Sequence, residues 1–320
     1  MSCPIGTDVV EASRLIAAGG LVAFPTETVY GLGANALDVK AVAKVFAAKQ
    51  RPEFDPLIVH LQNAASAVEF ATNWTTIAER LANEFWPGPL SLVVPRKNVI
   101  PDLVTSGMDS VALRVPEHPL AQQLLAATGL PIAAPSANLF GKVSPTTANH
   151  VADQLADRVD YILDGGPCRV GIESTVVSLL NEQPCVLRLG GVSLEDLNRI
   201  IGEVPVHSVG DQTAPQAPGQ LLKHYAPQVP ISIVAAAGEY QTDSNQQVGL
   251  LAPEPIDDAG SFAMTEILSP TGDLVECAAR FFATLRRMDA SGIDRIVAVR
   301  FPDEGLGRAL NDRLTRAAAR

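Results

Sequence analysis

The sequence is poor in cysteine, has no surplus of positive charge, no long apolar run and no common nucleotide-binding signature. Each lack removes a class of protein. Cys3, Cys168, Cys185 and Cys277 are the four cysteines in 320 residues. None are paired at metal-ligand spacing and they are too few for a disulfide scaffold, so reduced thiols in a cytosolic protein are expected. The formal net charge is −11, the wrong sign for a chain that lives on nucleic acid, where phosphate contacts need clustered Lys and Arg. A small basic pocket for one nucleotide is not excluded. No apolar run reaches the ~18 residues of a membrane span. The opening MSCPIGTDVVEAS lacks the apolar core of a signal peptide, so no membrane attachment is expected. A G-x-x-x-x-G-K-[ST] loop is absent: Gly141-Lys142 is followed by Val143. There is no G-x-G-x-x-G after a strand, and Gly31-Leu32-Gly33 alone is weak. The five histidines are scattered without zinc spacing.

What is there points to a well-packed enzyme. Hydrophobic residues make up 47% and charged residues 18%, enough to bury a large core and unlike a disordered chain. The length suits two domains of about 100–200 residues. Asp8 followed by Glu11 resembles a capping box opening a helix, with Val9, Ala12, Leu15 and Ile16 on one stripe, stopped by Gly19-Gly20. Residues 21–24 read as a wholly apolar strand, followed by the loop PTETVYGLGANALD. Asp38 caps a second helix that ends near Lys49, before Pro52. Strands are then expected at 57–61, 90–94, 111–115, 132–134, 161–163, 175–179 and 186–189. Helices are expected at 76–85, 120–128 and 147–155, with a last one from Ser193 to near Gly202. This alternation, with some strands following each other directly, predicts a mixed α/β sheet covered on both faces. Residues 204–230 are rich in Pro, Gly and Gln without a period and read as a linker. Beyond it, strands at 231–235, 248–252 and 296–300 and helices at 274–288 and 306–319 make a smaller α/β unit. The domain division is therefore 1–203, a linker 204–230, and 231–320.

Polar residues gather where strands end. PTETVYGLG carries two threonines and a tyrosine beside glycines, suited to close approach of a ligand, or to a turn satisfying its own hydrogen bonds. Lys49 and Arg51 end a helix, where cations also complement the dipole, but Pro52 is expected to turn both heads onto the loop ahead. Pro135-Ser136-Ala137-Asn138 follows a strand directly. Ser144 and two threonines then lead into a helix whose N-terminal N–H groups suit phosphate oxygens. Arg114 lies within the apolar strand LRV and needs an anionic partner, either a ligand or a structural acid. Arg188 stands likewise between two leucines, and Ser174 feeds another strand.

The ordered set FPTETVYGLG, K-x-R-P with PLIVH, WPGPLSLV, LRVPEHP, APSANLFGKVSPTTANHV, GGPCRVGIESTVVSL and VLRLGGVS resembles the YrdC/Sua5 family. PGQLLKHYAP and GLGRALNDRLTRAA are similar to the linker and second domain of its long form, so the resemblance spans nearly the whole chain. It implies an N-terminal YrdC-like twisted open mixed sheet with helices and a smaller C-terminal Rossmann-like domain. The implied activity is that of an L-threonylcarbamoyladenylate synthase, a cytoplasmic nucleotidyltransferase. It condenses L-threonine, bicarbonate or CO2, and ATP with Mg²⁺, releases pyrophosphate, and supplies a downstream threonylcarbamoyl-transferase complex acting on tRNA. By position the resemblance assigns Lys49 and Arg51 to the triphosphate and catalysis. It assigns Thr28, His60, Arg114, Ala134 (through its backbone) and Ser174 to threonine. Asp55, Ser110, Ser136, Asn138, Ser144, Arg188 and the linker Tyr225 go to ATP, Tyr225 in a segment that closes as a lid. Asp55 stands where many relatives carry Asn or Lys, and an acid repels phosphates, so its contact would run through backbone or Mg²⁺. Gln220, Leu221, Leu222 and Lys223 also depart from the usual linker. A non-catalytic RNA-binding or tRNA-maturation factor is the alternative, disfavoured by the net charge. A hydrogenase-maturation carbamoyltransferase would carry zinc-finger cysteine pairs that are not here.

Overall fold

A computed structural model describes residues 3–207, 225–241, 245–256 and 262–319. The chain divides into two compact units. One holds the described residues up to 207 except 141–143 and 170–172; the other holds those two short segments and the described residues from 225 onward. The linker residues Pro218 to His224, expected to form part of a lid, lie outside the described residues.

In the larger unit the elements run β1 (Ile5–Gly6), α1 (Val9–Ala17), β2 (Val22–Phe24), β3 (Gly31–Asn35), α2 (Val39–Lys49), β4 (Ile58–His60), α3 (Thr76–Phe85), β5 (Leu90–Pro95), α4 (Asp102–Thr105), β6 (Ser110–Arg114), α5 (Pro119–Thr128), β7 (Ile132–Ala133), α6 (Ala148–Leu155), β8 (Tyr161–Leu163), β9 (Thr175–Ser178), β10 (Cys185–Arg188) and α7 (Leu194–Ile201). Helix starts follow the expected caps: Asp38, Thr147 and Ser193 each accept from backbone N–H groups of the first turn. Asp8 also caps, but Glu11 pairs with Arg14 instead of reaching back, so the capping box is only half formed.

The strands make one ten-stranded sheet in the order β1-β8-β2-β3-β7-β4-β6-β5-β9-β10. Parallel and antiparallel neighbours alternate irregularly: β4 pairs β6 in parallel, while β3–β7, β4–β7 and β5–β6 are antiparallel. β3 was not foreseen. The stretch GLGAN reads as loop because glycine disfavours strands, yet a Cβ at Gly33 would lie 2.9 Å from both the Phe24 ring and Ile132. The missing side chain makes room for that ring.

Side chains alternate across a strand, so register decides which residues share a face. Ile58 pairs Ala112 and His60 pairs Arg114; Val93 pairs Ala112; Ser91 pairs Val176; His60 pairs Ile132; Phe24 pairs Gly31. Phe24, Ile132, His60, Arg114, Ser91 and Val176 therefore look out from the same face. α1 and α5 cover its β2/β7 half, burying Ala12, Ile16, Leu124 and Leu125 against Val22, Phe24 and Ile132. Over β4, β6, β5, β9 and β10 the buried cluster of this face is made of strand residues, Ile58, Ala112, Val93, Val176 and Leu187. The opposite face carries the main core under α2, α3, α6 and α7.

The smaller unit has β11 (Ile231–Val234), β12 (Val248–Ala252), β13 (Met264–Ile267), α8 (Leu274–Asp289), β14 (Arg295–Val299) and α9 (Gly307–Ala318). Its strands form a parallel sheet in the order β11-β14-β12-β13, as alternating strands and helices require. No described helix is long and apolar enough to cross a membrane.

Candidate active site

Two polar clusters stand on the partly strand-lined face. The first is built on the ends of β4 and β6. Arg114, the last residue of β6, is buried. Its Nη2 donates to Glu27 Oε1 at 2.6 Å and to Thr28 Oγ1 at 3.0 Å, and its Nε donates to Gly88 O at 3.3 Å. The structural acid that an arginine in this strand requires is thus Glu27, from the PTET loop after β2. Glu27 is itself held, its Oε2 accepting from the Glu117 N–H at 3.0 Å. A guanidinium has five N–H groups; the three committed here are those of Nε and Nη2, and none of these bonds uses Nη1. Thr28 Oγ1 also lies 2.8 Å from Thr26 Oγ1, which donates to Val29 O.

His60, beside Arg114 in register, is buried edge-on to Phe24, their ring centroids 5.8 Å apart. Burial, then the Arg114 charge, pull its pKa from 6.5 down to about 3. It is a neutral imidazole at physiological pH, and its buried Nδ1 has no hydrogen-bond partner. Ser174, just before β9, closes the cluster. Its hydroxyl lies 2.8 Å from that of Ser91, and Arg188 donates to its oxygens, Nη2 to O at 2.8 Å and to Oγ at 3.0 Å. Ala134 follows β7, its N–H donating to Ile58 O at 2.9 Å.

The second cluster gathers at the other end of the face. Gln50 caps α2 in the left-handed region at φ 53°. This turn, two residues before the expected Pro52, sends Lys49 and Arg51 different ways. Lys49 Nζ is buried and donates to Ser136 O at 2.6 Å and to Asn138 O, tying the loop after β7 to the helix end. Burial, then the charge of Arg51, push the Lys49 pKa well below its ordinary value. Arg51 donates from Nε to Asp55 O at 3.1 Å and from Nη2 to Pro56 O at 2.9 Å, and its Nη2 lies 2.9 Å from Asp55 Oδ2. Ser110, at the N-terminal end of β6, is four residues from Arg114, about 13 Å at the rise of a strand. Ser144 donates to Glu173 Oε1 at 2.5 Å. Arg188 joins the two ends: it bonds Ser174, and its charge acts on Asp55.

Tyr225 belongs to the smaller unit, where it is buried, its ring 5.4 Å from that of Phe282 and beneath the Arg313 guanidinium. Sequence reasoning did not single out Glu27, Ser91 or Glu173. Glu27 had a signal in Arg114, which demanded an acid, but nothing local said which.

The fold and the site define an α/β protein whose larger unit holds two clusters of buried basic and hydroxyl side chains. The family model Sua5/YciO/YrdC, described as telomere recombination, matches residues 14–190. A second, described as threonylcarbamoyl-AMP synthase, C-terminal domain, matches residues 192–319. The threonylcarbamoyl-AMP synthase of Pyrococcus abyssi is 42% identical, with 96% of this chain and 93% of that protein covered. That of Bacillus subtilis is 41% identical, with 97% and 92% covered. The crystal structure of P. abyssi Sua5 complexed with L-threonine superposes with a TM-score of 0.91 at 38% identity, covering 99% of this chain and 97% of that one. Escherichia coli YciO shares the fold of the larger unit at a TM-score of 0.51 and 24% identity, over 59% of this chain and 96% of that one. The chain belongs to the Sua5/YciO/YrdC family, in the form that carries the C-terminal domain.

Proposed function

We propose that this chain is a threonylcarbamoyl-AMP synthase, condensing L-threonine, bicarbonate or CO2, and ATP into threonylcarbamoyl-AMP and pyrophosphate. The observation that carries this reading is the near full-length likeness to the P. abyssi structure complexed with L-threonine, together with an Arg114 whose Nη1 is left over on a sheet face. Threonine's carboxylate meets that Nη1, with Thr28 and Ser174 at its sides and the Ala134 backbone beyond. The neutral His60 offers a ring nitrogen without adding a positive charge that would repel the substrate ammonium. Once the amine has captured CO2, a carbamate oxygen attacks the α-phosphorus and pyrophosphate leaves in line. Such a step needs positioning and charge neutralisation more than covalent help. Lys49, Arg51 and Arg188 neutralise the triphosphate, and Ser110, Ser136, Asn138 and Ser144 line the nucleotide side. This places the enzyme among nucleotidyltransferases.

Among the described residues no three His, Cys, Asp or Glu side chains come together to hold a metal. When bound, Mg²⁺ would accompany the ATP phosphates and supply charge neutralisation there. The adenylate would be passed in the cytoplasm to a complex that transfers its threonylcarbamoyl group to tRNA adenosine. Pyrophosphate release from ATP tests the reading: it must depend on both L-threonine and bicarbonate. Release that ignores threonine would contradict it.

A further inference from the structure

Two buried arginine–carboxylate pairs stand on the site face, and they hold their acids differently. Glu27 has both oxygens directed: Oε1 accepts from Arg114 at 2.6 Å and Oε2 from the Glu117 N–H at 3.0 Å. Asp55 is wholly buried, and its Oδ2 lies 2.9 Å from Arg51 Nη2, yet neither of its oxygens receives a well-directed hydrogen bond. Charge alone keeps it there. Burial raises its pKa, while Arg51, Lys49 and Arg188 pull it back. A carboxylate buried without hydrogen bonds is unfavourable unless nearby cations offset it. Those three cations are the ones assigned above to the triphosphate. The Arg51 guanidinium is meanwhile anchored by main-chain carbonyls of Asp55 and Pro56. Exchanging its anion therefore needs the Asp55 carboxylate to turn aside and leaves those main-chain bonds in place.

We propose that Asp55 is a placeholder anion that balances Arg51, Lys49 and Arg188 in the nucleotide-free protein and yields Arg51 to the phosphates when ATP binds. The inference rests on the synthase reading of this site. Asp55 stabilises the empty protein and opposes ATP binding, since the phosphates must displace it. Neutral residues in its place remove the carboxylate that competes with an incoming triphosphate for Arg51.

The test is calorimetric ATP binding with Mg²⁺, alongside thermal melting with and without saturating ATP. It compares the full-length chain with Asp55→Asn, Asp55→Ser and the charge-keeping Asp55→Glu. The neutral variants are expected to bind ATP at least about ten-fold more tightly, to melt lower than wild type without ATP, and to close that gap when saturated. Asp55→Glu should bind no more tightly than wild type. Neutral variants recoverable as soluble protein only when ATP is present would support the same exchange. Unchanged or weaker ATP binding in both neutral variants, a melting gap that ATP does not close, or failure to recover either variant with or without ATP would overturn it. If wild type binds ATP and makes the adenylate while the neutral variants do not tighten, this inference alone fails. A wild type that binds no ATP removes the synthase reading and the inference with it.

Discussion

Arg114 commits three of its N–H groups to Glu27, Thr28 and Gly88, and Nη1 is the group proposed to meet the threonine carboxylate. Arg114→Ala would remove the ligand's partner and also strand Glu27, a change that typically costs about 3–5 kcal/mol of stability. Arg114→Lys separates the two effects, because the ammonium can stay with Glu27 while the directed Nη1 is lost. The variant should fold and bind ATP normally but bind threonine about 1.5–3 kcal/mol more weakly, one to two orders of magnitude. Titration calorimetry with each substrate reads this, and unchanged threonine affinity would sink the assignment. His60 gives a pH signature. Its folded pKa of about 3 lies below the unfolded value of 6.5, so between these values the unfolded chain binds the extra proton. Stability from the neutral ring is complete above about pH 6.5 and is lost as pH falls toward 3, at up to ~1.4 kcal/mol per pH unit. Urea unfolding across that window should show the slope in wild type and a reduced slope in His60→Gln. Arg114 was legible in the sequence because a charge inside an apolar strand demands an explanation. Glu27 was not, because an acid in a polar loop looks ordinary. The two are 87 residues apart, and only strand register brings them together.

At the scale of elements, helices with a capping side chain and an apolar stripe were legible close to their ends: 76–85 is observed as Thr76–Phe85, and Asp38, Thr147 and Ser193 cap as expected. Three strands were not foreseen: β1 and β13 have little pattern over two and four residues, and β3 has glycine at two of its five positions. The reason lies in packing across the sheet. The edge of the Phe24 ring occupies the space that side chains at Gly31 and Gly33 would take, and the same ring meets His60 edge-on. Gly33→Ala should therefore cost about 1–3 kcal/mol by overpacking. Because the displaced ring touches His60, threonine binding should weaken along with stability. Urea denaturation and calorimetry of the variant check both; wild-type values for each would show that the ring has room to move.

The whole molecule is acidic, with net charge −11, yet it concentrates Lys49, Arg51, Arg114 and Arg188 as buried cations in the larger unit. That contrast fits small anionic substrates better than a nucleic-acid strand. Selectivity belongs to this scale as well, because it is read from the complete reaction. Threonine and serine differ by one methyl, worth about 1–3 kcal/mol in an apolar contact. Serine should be a poor but detectable substrate, at roughly 10–200-fold lower kcat/KM; a much larger ratio would mean that hydroxyl orientation is being read. The central claim is the synthesis itself. Its most direct test is mass spectrometry of the nucleotide products after incubating the full chain with ATP, Mg²⁺, bicarbonate and L-threonine. The account predicts threonylcarbamoyl-AMP, formed with an equal amount of pyrophosphate and absent when threonine or bicarbonate is left out. ATP that stays intact, or is cleaved with no threonine-containing adenylate, would contradict it.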